Sequence, residues 1–482
     1  MVNSIKRDMN STSASQQPSN GQVVRSAVWY TASNLLVKAL GFITVPIFTR
    51  LLTKAEFGAY NNYLSWLAVM TVVVSLSLEA TIISAKRDYA DDLDRYVFSM
   101  MALSVASALA WLLLANLLPG PFGGAMSLDR RYVNALFVYL LFFPVVTLFQ
   151  TWERFTYRYK VTVAVSVALA VGIAALSVAL TLWLPDRLDG AIGGRTLPAV
   201  LIGAGLLLWF WRRGTGVRLS YWAYALPIAA PFVPHLLSMT LLGALNRILV
   251  TRMCGEEANA LYSLANNCGQ IITIFVTSLN GAFSPWLGDK LTEHAYGEIR
   301  KVSHPYVALF AAISMGVSLL APEVLLVLGG GAYLEAVYVI PPVALGCVLQ
   351  FVYTMYVNVE QYEGRTVGMA VASASAVAIN WALDLLLIPR FGYVAAGWAS
   401  AAAYAWLLAA HMWLVGRMGM LHVYDNRFNV ACVLGVGAFL GLCALLYPHA
   451  LARWVVFGLF SMVMLTLGWY QRKAIVALIR RG

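Results

Sequence analysis

Apolar residues gather into runs of about twenty, fourteen times along the chain, with little between the runs except short polar links. A helix needs roughly 20 apolar residues to cross a hydrocarbon core about 30 Å thick, so each run predicts a transmembrane helix. The runs lie near 28 to 49, 60 to 82, 97 to 118, 132 to 152, 161 to 184, 196 to 211, 222 to 245, 258 to 281, 302 to 326, 334 to 359, 366 to 388, 392 to 415, 428 to 446 and 453 to 471. Span six is short. Span seven carries Pro227, Pro231 and Pro234, where missing backbone donors bend or break a helix, and Pro46 acts in the same way near the end of span one.

Composition narrows the class to an all-α, polytopic integral membrane protein. The chain is 60% hydrophobic and 11% charged, its mean hydropathy is +0.73, and no segment between the spans is large enough to fold alone. The net charge of +11 is spread over many short loops with no domain to present it to a duplex, so anionic lipid headgroups are the expected partner and nucleic acid is not. The basic residues are lopsided: 22 of the 33 Lys and Arg fall on the side holding both ends of the chain and 10 on the other, with Lys38 inside a span. Cytoplasmic loops retain such an excess, which predicts cytoplasmic termini. A helical bundle belongs in the cytoplasmic membrane, since bacterial outer membranes take barrels. Residues 1–24 lack the apolar core of a signal peptide and read as a disordered cytoplasmic tail.

Nothing in the sequence suggests a cofactor. The five cysteines and six histidines show no metal-ligand spacing, and no HExxH, GxSxG or Walker A pattern occurs. The candidate chemistry lies in polar groups within the spans, where an ionisable residue costs roughly 2.5 to 3.5 kcal/mol on insertion scales. Thr31, Asn34 and Lys38 share one face of span one by their spacing of three and four. Asn266, Gln270, Thr273 and Thr277 form a stripe along span eight, suited to gluing helices or to lining a cavity. Glu79, Glu360 and Asp384 are the candidates for ion coupling, with Asn380 one turn before Asp384. Each of the three carboxylates also lies near an expected interface, where it can snorkel or pair with a loop arginine.

A weak internal repeat organises these groups. Span one leaves through Thr49-Arg50-Leu51-Leu52 and reaches Glu56-Phe57-Gly58-Ala59-Tyr60 with Asn61 and Asn62; span seven leaves through Asn246-Arg247-Ile248-Leu249 and reaches Glu256 to Tyr262 with Asn266 and Asn267. The repeat predicts a six-helix lobe over 25–213, a second over 214–416, and two added helices with a short tail over 417–482. Parallel repeats of this kind are typical of transporters that hold substrate between the halves.

The stretch from Gly41 to Tyr60, GFITVPIFTRLLTKAEFGAY, resembles the N-terminal signature of polysaccharide flippases of the multidrug/oligosaccharidyl-lipid/polysaccharide exporter superfamily. The fourteen-span layout and the span-seven segment are similar too. The resemblance implies a carrier, not an enzyme, that moves undecaprenyl-pyrophosphate-linked O-antigen or exopolysaccharide repeat units across the cytoplasmic membrane by alternating access. It also implies polysaccharide polymerase and chain-length machinery as partners. A cavity for such a substrate must offer cations to the phosphates and polar surface to the sugars. Lys38, Arg50 and Arg247 fit the first need, since Arg grips phosphate in a bidentate way, and Asn34, Asn266 and Gln270 the second. Arg50 and Arg247 also suit helix ends anchored at headgroups. The family often reads Asp-Arg where this chain has Asn246-Arg247, which removes a carboxylate from any coupling at that position. Three alternatives stay open: a lipid II flippase, a cation-coupled drug exporter of the same superfamily, and a membrane-embedded polymerase or ligase.

Overall fold

The computed structural model describes the backbone of residues 20–481 apart from 157, 158, 214 and 365. Each of the fourteen apolar runs falls wholly or mainly on a helix. We number these α1 Asn20–Leu51, α2 Lys54–Ser75, α3 Leu93–Leu117, α4 Arg130–Phe155, α5 Tyr159–Trp183, α6 Arg187–Arg212, α7 Phe232–Cys254, α8 Glu256–Thr292, α9 Tyr296–Leu319, α10 Ile340–Tyr362, α11 Thr366–Phe391, α12 Val394–Arg417, α13 Asn426–Leu446 and α14 Ala450–Arg481. Among the described residues no strand occurs. Among the described residues ten helices are long and apolar enough to cross a membrane, or eleven if α2 and the bent segment after it form one span, so fourteen crossings are not established. The protein is a multi-pass membrane protein.

Several boundaries differ from the sequence expectation. Residues 185 to 195, expected as an outer loop, are mostly helix: α6 begins at Arg187, capped by the Asp186 carboxylate accepting from the amides of Leu188 (3.0 Å) and Asp189 (3.2 Å). Arg195 therefore sits in a helix, roughly 12 Å along its axis from the start. The break expected from the prolines is present: a short helix, Leu219–Ala229, ends before α7, whose N-cap is Pro231. α2 stops at Ser75, earlier than expected, because Leu76 and Ser77 take φ values of 52° and 53°. That leaves Glu79 in a 3₁₀ turn, Leu78–Thr81, beyond a 43° bend.

Packing repeats along the chain. In the first half α1 lies on α5, α5 on α6, α6 on α4, and α4 on α3 and α2; in the second half α7 lies on α11, α11 on α12, α12 on α10, and α10 on α9 and α8. The two halves meet through α2, which packs on both α7 and α8.

The buried apolar residues show how the halves are joined. At the end of the bundle where α1 finishes, one core runs through both halves, from Phe48, Tyr60 and Leu136 to Val250, Leu264 and Ile340. At the opposite end the core divides into a first-half cluster around Tyr96, Met100 and Trp152 and a second-half cluster around Phe310, Val352 and Tyr356.

Candidate functional site

The fused end is a seal built from helix termini. α2 starts sharply after α1 because Thr53 and Glu56 form a capping box, with the Thr53 hydroxyl accepting from the Glu56 amide and the Glu56 carboxylate accepting from the Thr53 amide at 2.8 Å. This turn abuts the second half. Thr49 donates to the Leu328 carbonyl at 2.5 Å, Arg50 to the Val327 carbonyl at 3.0 Å, and Asn259 to the Gly58 carbonyl at 2.9 Å, while Lys54 reaches Glu335 at 3.5 Å. Among the described residues, every hydrogen bond and ion pair between residues 20–213 and α8 onward lies at this end.

The predicted cations separate by role. Arg50 is engaged in the seal, since it also donates to Pro46 of its own helix at 2.7 Å. Lys38 is exposed. By helical spacing it shares the face of α1 that carries Thr49, about three turns away, and Thr49 is buried against the second half. Arg247 is half-buried beside Asn267 of α8 at 3.4 Å, and its Nε has no partner. Asn266 is half-buried next to it in α8. The side chains of Asn34 and Gln270 lie outside the described residues.

The predicted carboxylates do not converge. Glu79 sits at the bend after α2 with a buried oxygen that lacks a hydrogen bond. Glu360 is fully buried near the end of α10 and shares a 2.6 Å hydrogen bond with His411 of α12, whose ring stacks on Tyr353. Asp384 lies apart from both, inside the second half.

Around Asp384 four helices assemble a buried polar cluster. Asn380 donates from one amide nitrogen to Asp384 (2.9 Å) and to the Asn246 carbonyl oxygen (2.8 Å). The Asn246 nitrogen donates to the Tyr262 hydroxyl (2.9 Å), the Ser400 hydroxyl (2.8 Å) and the Ala396 carbonyl (2.6 Å). Asn246, Asn380 and Asp384 are at most 2% exposed. One oxygen of Asp384 and one of Asn380 remain without a donor. Two free acceptor oxygens, one of them the buried carboxylate's own, suit a proton or a small monovalent cation.

The sequence pattern paired Asn380 with Asp384 and marked Tyr262 as part of the internal repeat, but it gave no sign of Ser400 or the Ala396 carbonyl, which α12 supplies. Asn246 was visible only as a departure from the family pattern.

The sequence profile described as "Polysaccharide biosynthesis protein" matches residues 23–290, more than half of the chain. The chain belongs to that family. Among solved structures it is similar to the lipid II flippase MurJ in an inward closed conformation, with a TM-score of 0.68 at 11% identity over 93% of this chain and 100% of that one. It is also similar to an inward-facing multidrug resistance MATE transporter, with a TM-score of 0.56 at 13% identity over 79% of this chain and 98% of that one. A transporter of the same superfamily from Pyrococcus furiosus gives 0.56 at 14% identity over 85% and 99%. No curated protein sequence matches the chain. The family is one of polysaccharide biosynthesis proteins, and the fold is shared with the flippase MurJ and with MATE transporters.

Proposed function

We propose that this member of the family moves undecaprenyl-pyrophosphate-linked oligosaccharide repeat units from the inner to the outer leaflet of the cytoplasmic membrane by alternating access. The observation that carries the reading is the buried core, continuous through both halves at one end and divided at the other. Two packing-equivalent halves joined at one end are the machinery of a carrier that rocks about a central site. With both termini cytoplasmic, as the excess of basic residues implies, the sealed end is the extracytoplasmic one.

A pyrophosphate cannot cross hydrocarbon without cations, and Lys38 and Arg247 are the basic side chains assigned to it. Arg50 holds the seal in this state and becomes available to phosphate when the seal parts. Asn34, Asn266 and Gln270 are assigned to sugar hydroxyls. Asp384 is assigned to ion coupling, because its cluster offers free acceptors in a buried site; with Asn in place of the family's Asp at 246, a single carboxylate carries that task. The six-helix lobes over 25–213 and 214–416 are the units that move.

The test is made in a deletion strain: lipid-linked sugars are extracted, assigned to a leaflet, and rescue is attempted with wild type, Lys38→Ala and Arg247→Ala. Repeat units trapped on the cytoplasmic leaflet, released by wild type and poorly by either variant at equal expression, support the reading. Trapped lipid II points to a peptidoglycan flippase. Single units building up on the outer leaflet mean that this chain acts after translocation.

A further inference from the structure

The first half holds a partly enclosed polar site of its own. A cavity of about 160 Å³ lies between α1, α2, α5 and α6. By the packing repeat these four helices correspond to α7, α8, α11 and α12, which surround Asp384. Tyr60 of α2 lines the cavity, and the matching position of α8 is Tyr262, a member of the Asp384 cluster. The two sites differ in sign. The second half brings a carboxylate, Asp384 of α11; the first half brings a guanidinium, Arg195 of α6.

The groups facing the cavity are donors. The Arg195 guanidinium lies beside the hydroxyls of Tyr60 and Tyr139, 5.9 Å from the centre of the Tyr139 ring, and its Nε has no partner. Ser177 is 1% exposed and its hydroxyl is also unpaired. Thr44 spends its proton on the Gly41 carbonyl at 2.8 Å. No carboxylate lines the cavity, and among the described residues Arg195 makes no ion pair. Phe48, Ile173 and Ala174 complete an otherwise apolar wall. A guanidinium in such surroundings is costly without a counter-charge, and charge-assisted hydrogen bonds to an anion relieve that cost.

We infer that this cavity binds one small anion, a halide or a single phosphate group, held by Arg195, Ser177 and Tyr60. The inference goes beyond the flippase reading and does not require it, because every residue that lines the cavity belongs to the first half.

The experiment uses the full-length protein purified in detergent in sodium gluconate. Gluconate is replaced by chloride, by inorganic phosphate, or supplemented with farnesyl phosphate, at constant sodium and ionic strength so that the Asp384 cluster sees no change. Thermal unfolding is followed by tryptophan fluorescence. The expected result is a saturable rise in melting temperature with at least one of the three, absent in Arg195→Gln, partly kept in Arg195→Lys and unchanged in Asp384→Asn. Chloride or inorganic phosphate acting alone identifies a free anion as the ligand, and farnesyl phosphate acting alone identifies a lipid phosphate. Should Arg195→Gln fail to fold, Ser177→Ala is expected to raise the half-saturating concentration about fivefold, the effect of one neutral hydrogen bond. No anion-specific rise in the wild type, or the same rise in Arg195→Gln, overturns the inference.

Discussion

Gly58 of α2 lies so close to Glu256, the first residue of α8, that a Cβ on Gly58 would stand 1.8 Å from the Glu256 carbonyl oxygen. The contact is backbone against backbone, at the centre of the seal, and the Asn259 amide bonds the Gly58 carbonyl beside it. Gly58→Ala cannot be absorbed by a side-chain rotation, so the two halves must part there. Overpacking of this kind costs roughly 2 kcal/mol, about a thirtyfold shift away from the sealed state. Maleimide labelling of a Thr49→Cys reporter, buried in the wild-type seal, is expected to speed up in the Gly58→Ala background; an unchanged rate would show that the seal closes without this contact.

The Asp384 cluster makes a prediction about driving force. Asp384→Asn keeps the shape of the site but removes its carboxylate charge, so transport in proteoliposomes is expected to lose its dependence on an imposed proton or sodium gradient while the protein still folds. Asn246→Asp adds a second carboxylate bonded to the same Asn380 amide and is expected to tighten monovalent cation binding by about tenfold, as read by cation-dependent thermal stabilisation. Retention of full gradient dependence by Asp384→Asn would remove this site from the coupling mechanism.

Glu360 and His411 are both buried and share a 2.6 Å hydrogen bond between α10 and α12. Removing one partner strands the other in an apolar setting, at a cost of about 1 to 3 kcal/mol. His411→Ala and Glu360→Gln are each expected to lower the melting temperature, and the double variant to cost less than the sum of the two. Additive losses in the double-mutant cycle would mean that the pair is not energetically coupled.

The docking of α14 is expected to be acid-sensitive. Arg453 near its start donates to Glu323 (2.6 Å) and to the Leu319 carbonyl (2.7 Å). The hydrogen bond from Arg453 holds the Glu323 carboxyl below its usual value. A depressed carboxylate contributes stability above the ordinary value of about 4.3 and loses it as pH falls through the depressed one. Limited proteolysis near residues 447 to 450 should therefore accelerate in that acid range in wild type, and Arg453→Gln should be fast already at neutral pH. Equal protection of the variant at pH 7 would show that apolar packing alone docks the helix.

The apolar runs were enough to place the helices, because period and length are local properties, and the prolines of span seven marked its break for the same reason. The segment from Pro185 to Arg195 misled, since Asp, Gly and Arg together resemble a loop. Its glycines serve a different purpose: added Cβ atoms at Gly190 and Gly194 would stand 2.4 Å from the Leu180 carbonyl oxygen and 2.3 Å from the Ser177 Cα, so these residues let α6 press on α5. The end of α2 had no signal, because its left-handed residues are Leu76 and Ser77 and neither is glycine. Asp384 was readable beside Asn380 one turn away, whereas Ser400 lies in an alanine-rich helix and Asn246 far back along the chain, and only folding brings them together.

Three of the seal's side-chain donors bond to main-chain carbonyls, at Leu328, Val327 and Gly58. Water can take over such bonds when the helix ends separate, and the net gain of each over water is about 1 kcal/mol, somewhat more for the charged Arg50. A latch of this kind holds the closed form by a margin that the binding energy of one cargo molecule can reverse, and it can re-form once the cargo has left. The closure is therefore cheap to undo, which a cycle repeated for every repeat unit demands.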